Sequence, residues 1–352
     1  MEKALSVTMQ RMVASGQSWA GKSAVITGAG PGSIGAEVVR CLLLGGCHVV
    51  VTTSRATRAR WEMFRELYEA SSGKGAQLHV VPWNGASLQD TNALAKAIFD
   101  PTVLGMSHPD FVLPFAAISE NGRDISGIDG KSELAHRVML TNVVRFVGAL
   151  KTYVNRNNAA EKSERRTVVL LPLSPNHGTF GGDGLYSESK LALEILFQKW
   201  RSERWGNSIS LVGVEIGWTR GTGLMDSNDL IAQSIEESTS LRTFDSTEMA
   251  FSIVALLSPD IVQIAESCPI KADVSGGFHT LAGTEGLPSS RLRAELLNKA
   301  EIARAVHDDH VQDEGSVGHP KTDSENSKVH PRANLRHNFP ALPSEATLAD
   351  MD

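Results

Sequence analysis

Ser23-Ala24-Val25-Ile26-Thr27-Gly28-Ala29-Gly30-Pro31-Gly32-Ser33-Ile34-Gly35 is the stretch on which the fold turns. A short β-rich apolar run ends in a glycine-dense turn and passes straight into a segment with helical apolar spacing. Gly30-x-Gly32-x-x-Gly35 fits the G-x-G-x-x-G pattern, and Gly28 adds a further glycine. Glycines at such a turn permit a tight bend, let the backbone approach a pyrophosphate and let the helix pack on the strand, while the helix start offers unpaired N–H groups. The pattern alone is common. Its place after a first strand and at the mouth of a first helix makes Gly28, Gly30, Gly32, Ser33, Ile34 and Gly35 candidate contacts to a dinucleotide. No Gly-Lys-Ser/Thr follows, so the turn is not a P-loop.

Outward from this turn, strand-like runs alternate with longer helical segments from Gly21 to about Gly277. The strands are expected at Ser23–Thr27, His48–Thr53, Gln77–Pro82, Asp110–Phe115, Thr167–Pro172 and Ile209–Ile216, with a further short one near Ile270–Val274. Helices are expected at Ser33–Leu44, Thr57–Ser71, Ser87–Phe99, Lys131–Val154 and Gly184–Trp205. This succession predicts an α/β fold, a Rossmann-type doubly wound parallel sheet with its ligands at the carboxyl ends of the strands. Residues 1–20 read as an amphipathic extension, 21–306 as the dinucleotide-binding domain, and the polar, breaker-rich 307–352 as a linker-like, disordered tail. The five histidines of that tail are spaced too irregularly for a metal site, and none is expected.

The formal net charge of −6 disfavours a nucleic-acid or membrane surface. No apolar run reaches the about 18 residues of a membrane span. Cys41, Cys47 and Cys268 form neither a disulfide framework nor a C-x-x-C site, so a reducing, cytoplasmic setting is expected.

The end of the second strand selects the dinucleotide, because a carboxylate there binds a ribose 2′-hydroxyl whereas a guanidinium pairs with a 2′-phosphate. The run Val51-Thr52-Thr53-Ser54-Arg55 holds no acid. Arg55 offers a planar fork and Ser54 a hydroxyl, which points to NADPH. Arg60 reads as a residue that solvates the outer face of the next helix, and Arg58 reads equally as that or as a further phosphate contact.

Tyr186 and Lys190 lie four residues apart on one face of a predicted helix. A nearby ammonium favours the phenolate and draws a tyrosine pKa toward neutrality, so Tyr186 is expected to protonate a carbonyl oxygen as hydride arrives. Ser174, in the loop after the fifth strand, is the second donor to that oxygen. Asn142, on the long fourth helix, is expected to support a water leading to Lys190. A Tyr-x-x-x-Lys pair is weak by itself; the ordered set of glycine turn, Asn142, Ser174, Tyr186 and Lys190 is the specific signal.

These residues resemble those of the short-chain dehydrogenase/reductase family. The stretches LPLSPNHGTFGGDGLYSESKLALE, GWTRGTGLM, VVVTTSR and PFAAI are similar to the ketoreductase domain of the α subunit of fungal-type fatty acid synthases, from about Gly21 to Val306. Pro331–Leu335 with Phe339-Pro340 resembles the linker from ketoreductase to ketosynthase in that subunit. The resemblance implies NADPH-dependent reduction of a 3-oxoacyl thioester on acyl carrier protein to the (R)-3-hydroxyacyl thioester, with Ser174, Tyr186 and Lys190 as the catalytic triad. It further implies that the loop Gly217–Gly223 closes over nicotinamide and substrate, with Thr219 or Thr222 on the carboxamide. The family's Asn-Ala-Gly after the fourth strand is here Phe115-Ala116-Ala117, with Ala116 kept as a cofactor-binding position, and its acid after the third strand is Asn84. A homo-oligomer through the fourth and fifth helices, or a synthase partner, fits the same resemblance. Two other readings share these residues: a free-standing ketoreductase of a polyketide or other specialised pathway, and a catalytically idle fragment acting as a binding module.

Overall fold

The computed structural model describes residues 2–179, 181–225, 229 and 232–281. Seven parallel strands, β1 (Ser23–Thr27), β2 (His48–Thr53), β3 (Gln77–Pro82), β4 (Phe111–Pro114), β5 (Thr167–Leu173), β6 (Ile209–Ile216) and β7 (Ile270–Val274), form one sheet in the order 3-2-1-4-5-6-7. The order reverses between β1 and β4, so the crevice for ligands lies above that pair. All seven strand expectations hold, with the fourth shortened by one residue at each end and the fifth lengthened by one.

Central strands read as unbroken apolar runs because both faces are covered. Ile26, Val49 and Val51 point into a core shared with α1 (Glu2–Ser15), α2 (Ile34–Leu44) and α3 (Arg58–Ser71). Val25 and Val50 point the other way, toward α4 (Leu88–Ala97) and α7 (Asn142–Glu161). Leu5, Met12 and Trp19 from the first twenty residues are buried in the first of these cores, where α1 meets α11 (Ser246–Ala255) and α12 (Pro259–Ser267). Burying a side chain such as Ile26 is worth about 2 kcal/mol, which is why alternation along the strand is fixed so firmly.

Helix starts follow side-chain chemistry. Ser33, Thr57 and Ser87 are N-caps rather than helical residues; their hydroxyls accept from Ala36, Arg60 and Asp90 N–H. The expected continuous helix Lys131–Val154 is instead α6 (Gly130–His136), one turn of π-helix (Arg137–Thr141) and α7, while Gly184–Trp205 divides into α8 (Tyr186–Glu194) and α9 (Leu196–Ser202). Two small helices complete the order, α5 (Pro101–Leu104) and α10 (Ala232–Ser238). Among the described residues no single helix is long and apolar enough to cross a membrane. The domain boundary expected near 306, the tail 307–352 and its histidines lie outside the described residues.

Candidate active site

The β1/β4 crevice opens into a cleft of about 600 Å³, within the range of ligand sites. One end is the glycine turn: Gly28, Gly30, Ser33, Ile34 and Gly35 line it. Gly28 has φ +78°, and a Cβ there would fall 2.5 Å from the Phe115 carbonyl oxygen, just past the end of β4 across the switch point. Only glycine allows β1 and β4 to approach so closely at this level. Gly28→Ala is therefore expected to cost about 2–5 kcal/mol from left-handed strain plus overpacking, read as a lowered urea midpoint. Beside it, Ala116 N–H donates to Thr27 Oγ1 at 3.0 Å, which fixes the cleft wall made by Phe115 and Ala116. Ser33 Oγ accepts from Ala36 N–H and donates to the Gly30 carbonyl at 2.7 Å, holding the turn onto α2. Gly32 does not line the cleft; it faces the loop after β6, where a Cβ would meet the Gly221 carbonyl at 3.3 Å.

The other end carries the chemistry. Tyr186 opens α8 and Lys190 lies one turn on; both line the cleft. Lys190 Nζ sits 5.5 Å from the centre of the Tyr186 ring and donates to the Pro172 carbonyl at 3.0 Å. Lys190 is buried, and desolvation pushes its ammonium down to about 8. Ser174, also buried, does not itself line the cleft; it accepts from Asn176 N–H at 3.2 Å and hydrogen-bonds the Tyr186 phenol. The expectation that Tyr186 is driven toward neutrality is corrected here. Burial raises its pKa above the ordinary value, Asp183 adds to the rise, and the Ser174 bond opposes both. Desolvation disfavours the phenolate more than its polar neighbours favour it.

A buried acid and a half-buried one hold the start of α8, and no motif announced either. Glu120 Oε2 accepts from Leu185 N–H at 3.0 Å. Gly184, at φ +62°, leaves room for that carboxylate, since a Cβ there would lie 2.5 Å from Glu120 Cδ. Asp183 Oδ2 accepts from Ser187 N–H at 3.1 Å and from Asn176 Nδ2 at 2.8 Å. Because Asn176 N–H bonds Ser174, Asp183 ties the two catalytic candidates into one network.

Besides Gly32 and Ser174, three expected positions fall outside the cleft lining. Asn142 is buried as the first residue of α7 and does not line the cleft; its Nδ2 donates to the Gly85 carbonyl at 2.7 Å and its Oδ1 accepts from Arg145 at 2.9 Å. With both ends of its amide taken, the side chain braces the Trp83–Ala86 wall rather than turning to Lys190. Thr219 is buried away from the cleft, donating to Gly217 O, whereas Thr222 lines it. Ser54 lines the cleft, but Arg55 is exposed and outside it; Arg60, read from sequence as a solvating residue, is the arginine on the wall. None of the lining residues is acidic; Arg60 and Lys190 are the cations among them.

Away from this cleft, His177, Glu194 and Glu215 bring three ligand-type atoms together. Lys271 Nζ already lies 2.5 Å from Glu215 and 3.1 Å from Glu194, so the cluster is an ion-pair network fastening α8 to β6 and β7.

No protein-family model matches the sequence. Fatty acid synthase α subunits do: that of Penicillium patulum is 46% identical over 336 residues, covering 93% of this chain and 18% of its own length. That of Schizosaccharomyces pombe is 48% identical over 334 residues, 94% of this chain and 18% of its own length. The chain thus spans under a fifth of the length of these curated relatives. Among solved structures, a short-chain dehydrogenase/reductase from Mycobacterium ulcerans superposes with a TM-score of 0.61 at 17% identity, covering 75% of this chain and 91% of that one. A reductase described as NADH-dependent and complexed with NAD gives 0.56 at 19%, covering 74% and 97%. The chain has the fold of these short-chain dehydrogenase/reductases and is homologous, over nearly its whole length, to one segment of the fungal fatty acid synthase α subunit.

Proposed function

We propose that this chain is an NADPH-dependent ketoreductase that converts a 3-oxoacyl thioester, borne on acyl carrier protein, to the 3-hydroxyacyl thioester. The observation that carries the reading is Tyr186 and Lys190 side by side at one end of a cleft, with buried Ser174 hydrogen-bonded to the tyrosine, and a glycine turn at a helix start as the other end. A dinucleotide fits that cleft on the chain's own geometry. A Cβ at Gly30 would have only Arg60 within 4 Å, so the turn presents open backbone to the crevice, and no carboxylate lines the wall to repel a phosphate. Gly28, Gly30, Ser33, Ile34 and Gly35 would hold the pyrophosphate, with Ser54 and Ala116 along the wall.

When bound, the nicotinamide supplies hydride to the carbonyl carbon. Tyr186 Oη donates its proton to the carbonyl oxygen, and the raised pKa keeps that proton in place at neutral pH. Ser174 Oγ, bonded to the same phenol, donates a second hydrogen bond to the oxygen as negative charge grows there. Lys190 Nζ, anchored on the Pro172 carbonyl, supplies positive charge beside the phenol and favours recovery of its proton from solvent. The loop after β6 closes the cleft: Thr222, Gly223 and Leu224 line it, Asn121 Nδ2 donates to Leu224 O at 2.5 Å, and Asp229 accepts from Gly221 N–H. Kinship with synthase α subunits supports an acyl thioester as substrate, a synthase or a second copy of the chain as partner, and the cytoplasm as the place of reaction.

The test is NADPH oxidation with acetoacetyl-CoA, repeated with NADH. Turnover that requires NADPH supports the reading. A folded protein that binds NADPH and leaves every 3-oxoacyl thioester untouched overturns the substrate, and one that binds neither dinucleotide overturns the activity.

A further inference from the structure

Three arginines follow β2, and their surroundings differ. Arg55 is exposed: Thr53 Oγ1 bonds both the N–H and the carbonyl of Arg55 at 3.2 Å, closing a local turn, and the residue does not line the cleft. Arg58 points outward, its side chain 92% exposed, and pairs with Glu62 at 2.7 Å. Arg60 stands in the first turn of the fourteen-residue α3, where its N–H bonds the Thr57 cap at 3.0 Å. Its side chain is half-buried on the cleft wall, with Nη1 3.7 Å from the position of a Cβ at Gly30. The contact it makes there is to the Met63 sulfur at 3.5 Å, and among the described residues no carboxylate pairs with it.

A guanidinium withdrawn from water without an anion is unfavourable, and one that meets a phosphate forms paired charge-assisted hydrogen bonds. The first turn of α3 adds the positive end of a helix, and the acid-free wall removes competition. We propose that Arg60, and not Arg55, is the residue that recognises the 2′-phosphate monoester of NADPH and so sets cofactor choice. This rests on the dinucleotide reading above.

Calorimetric titration with adenosine 2′,5′-bisphosphate and with AMP tests it on the full chain without turnover. Arg60→Gln is expected to weaken the bisphosphate roughly 10- to 100-fold, the loss of one charged hydrogen-bonding partner, and AMP far less. Arg60→Lys, which keeps charge but not the fork, falls between. If Arg55→Gln takes the loss while Arg60→Gln binds as the wild type does, the assignment is overturned with the NADPH reading intact. A wild type that binds bisphosphate no better than AMP overturns both.

Discussion

Tyr186→Phe lowers kcat for thioester reduction by roughly 10²- to 10⁴-fold, the range for removing a positioned proton donor, with little change in the urea midpoint. The ring and its packing stay; what leaves is one hydroxyl and its bond to Ser174. The chain has three tyrosines, Tyr68, Tyr153 and Tyr186, so ultraviolet difference titration of wild type against this variant isolates one phenol. That phenol should ionise above its ordinary value near 10 in the ligand-free chain, because burial and Asp183 both penalise the phenolate. Ser174→Ala, which removes the opposing hydrogen bond, should move the midpoint higher still, and Asp183→Asn should move it lower. A Tyr186→Phe variant with wild-type turnover would remove the phenol from the reaction.

Lys190→Met is expected to abolish turnover and yet to stabilise the ligand-free chain at pH 7. The Lys190 ammonium has a folded pKa of about 8, depressed from 10.5. Between those two values the unfolded chain holds the proton and the folded chain does not, so stability rises with pH through that window. Below about pH 8 both states are charged, and the folded state carries the whole desolvation penalty. Each pKa step is about 1.4 kcal/mol, which places that penalty on the order of 3 kcal/mol. Part of the gain is offset by leaving the Pro172 carbonyl without its donor, about 1 kcal/mol. The net of about 2 kcal/mol should appear as a Tm several degrees higher at pH 7, with the rise in stability between pH 8 and 10 lost in the variant. A Tm that falls at pH 7 would mean that Lys190 holds the fold together rather than straining it.

The sheet was legible in sequence for a simple reason: strands covered on both faces leave continuous apolar runs such as Val49–Val51, and glycine and serine mark where they end. Helix breaks were not. Apolar periodicity runs unchanged through Arg137–Thr141 and past Ile195, because inward-facing residues keep their side chains inside whether the backbone turn is α or π. The Tyr186–Lys190 juxtaposition was legible because the two belong to one helix turn. Arg60 was missed because residues 55, 58 and 60 look alike along a line; on a helix, 60 lies about 200° around from 58, and Arg58 already faces Glu62 on the outer side. Glu120 and Asp183 carry no motif, since their partners are backbone amides that only the fold brings near. Asn142 was placed in the right helix and turned the wrong way, because Gly85, which claims its amide, is 57 positions distant.

The two acids at α8 also give the cleft a direction. Both α2 and α8 begin at its rim, and a helix start attracts negative charge wherever its first amides are open. At α8, Glu120 and Asp183 answer Leu185 and Ser187 from within the chain. At α2 an uncharged serine caps the turn, the first-turn Glu37 is held by Arg40 at 2.6 Å, and Ser33, Ile34 and Gly35 line the crevice. A long ligand with its negative charge gathered at one end therefore meets an attractive pole and a neutralised one, and lies one way round. On the reading proposed above, the polarity that would turn a reactive ring toward Tyr186 is built partly from two carboxylates beneath the tyrosine, which cancel the helix end that would otherwise compete for phosphate.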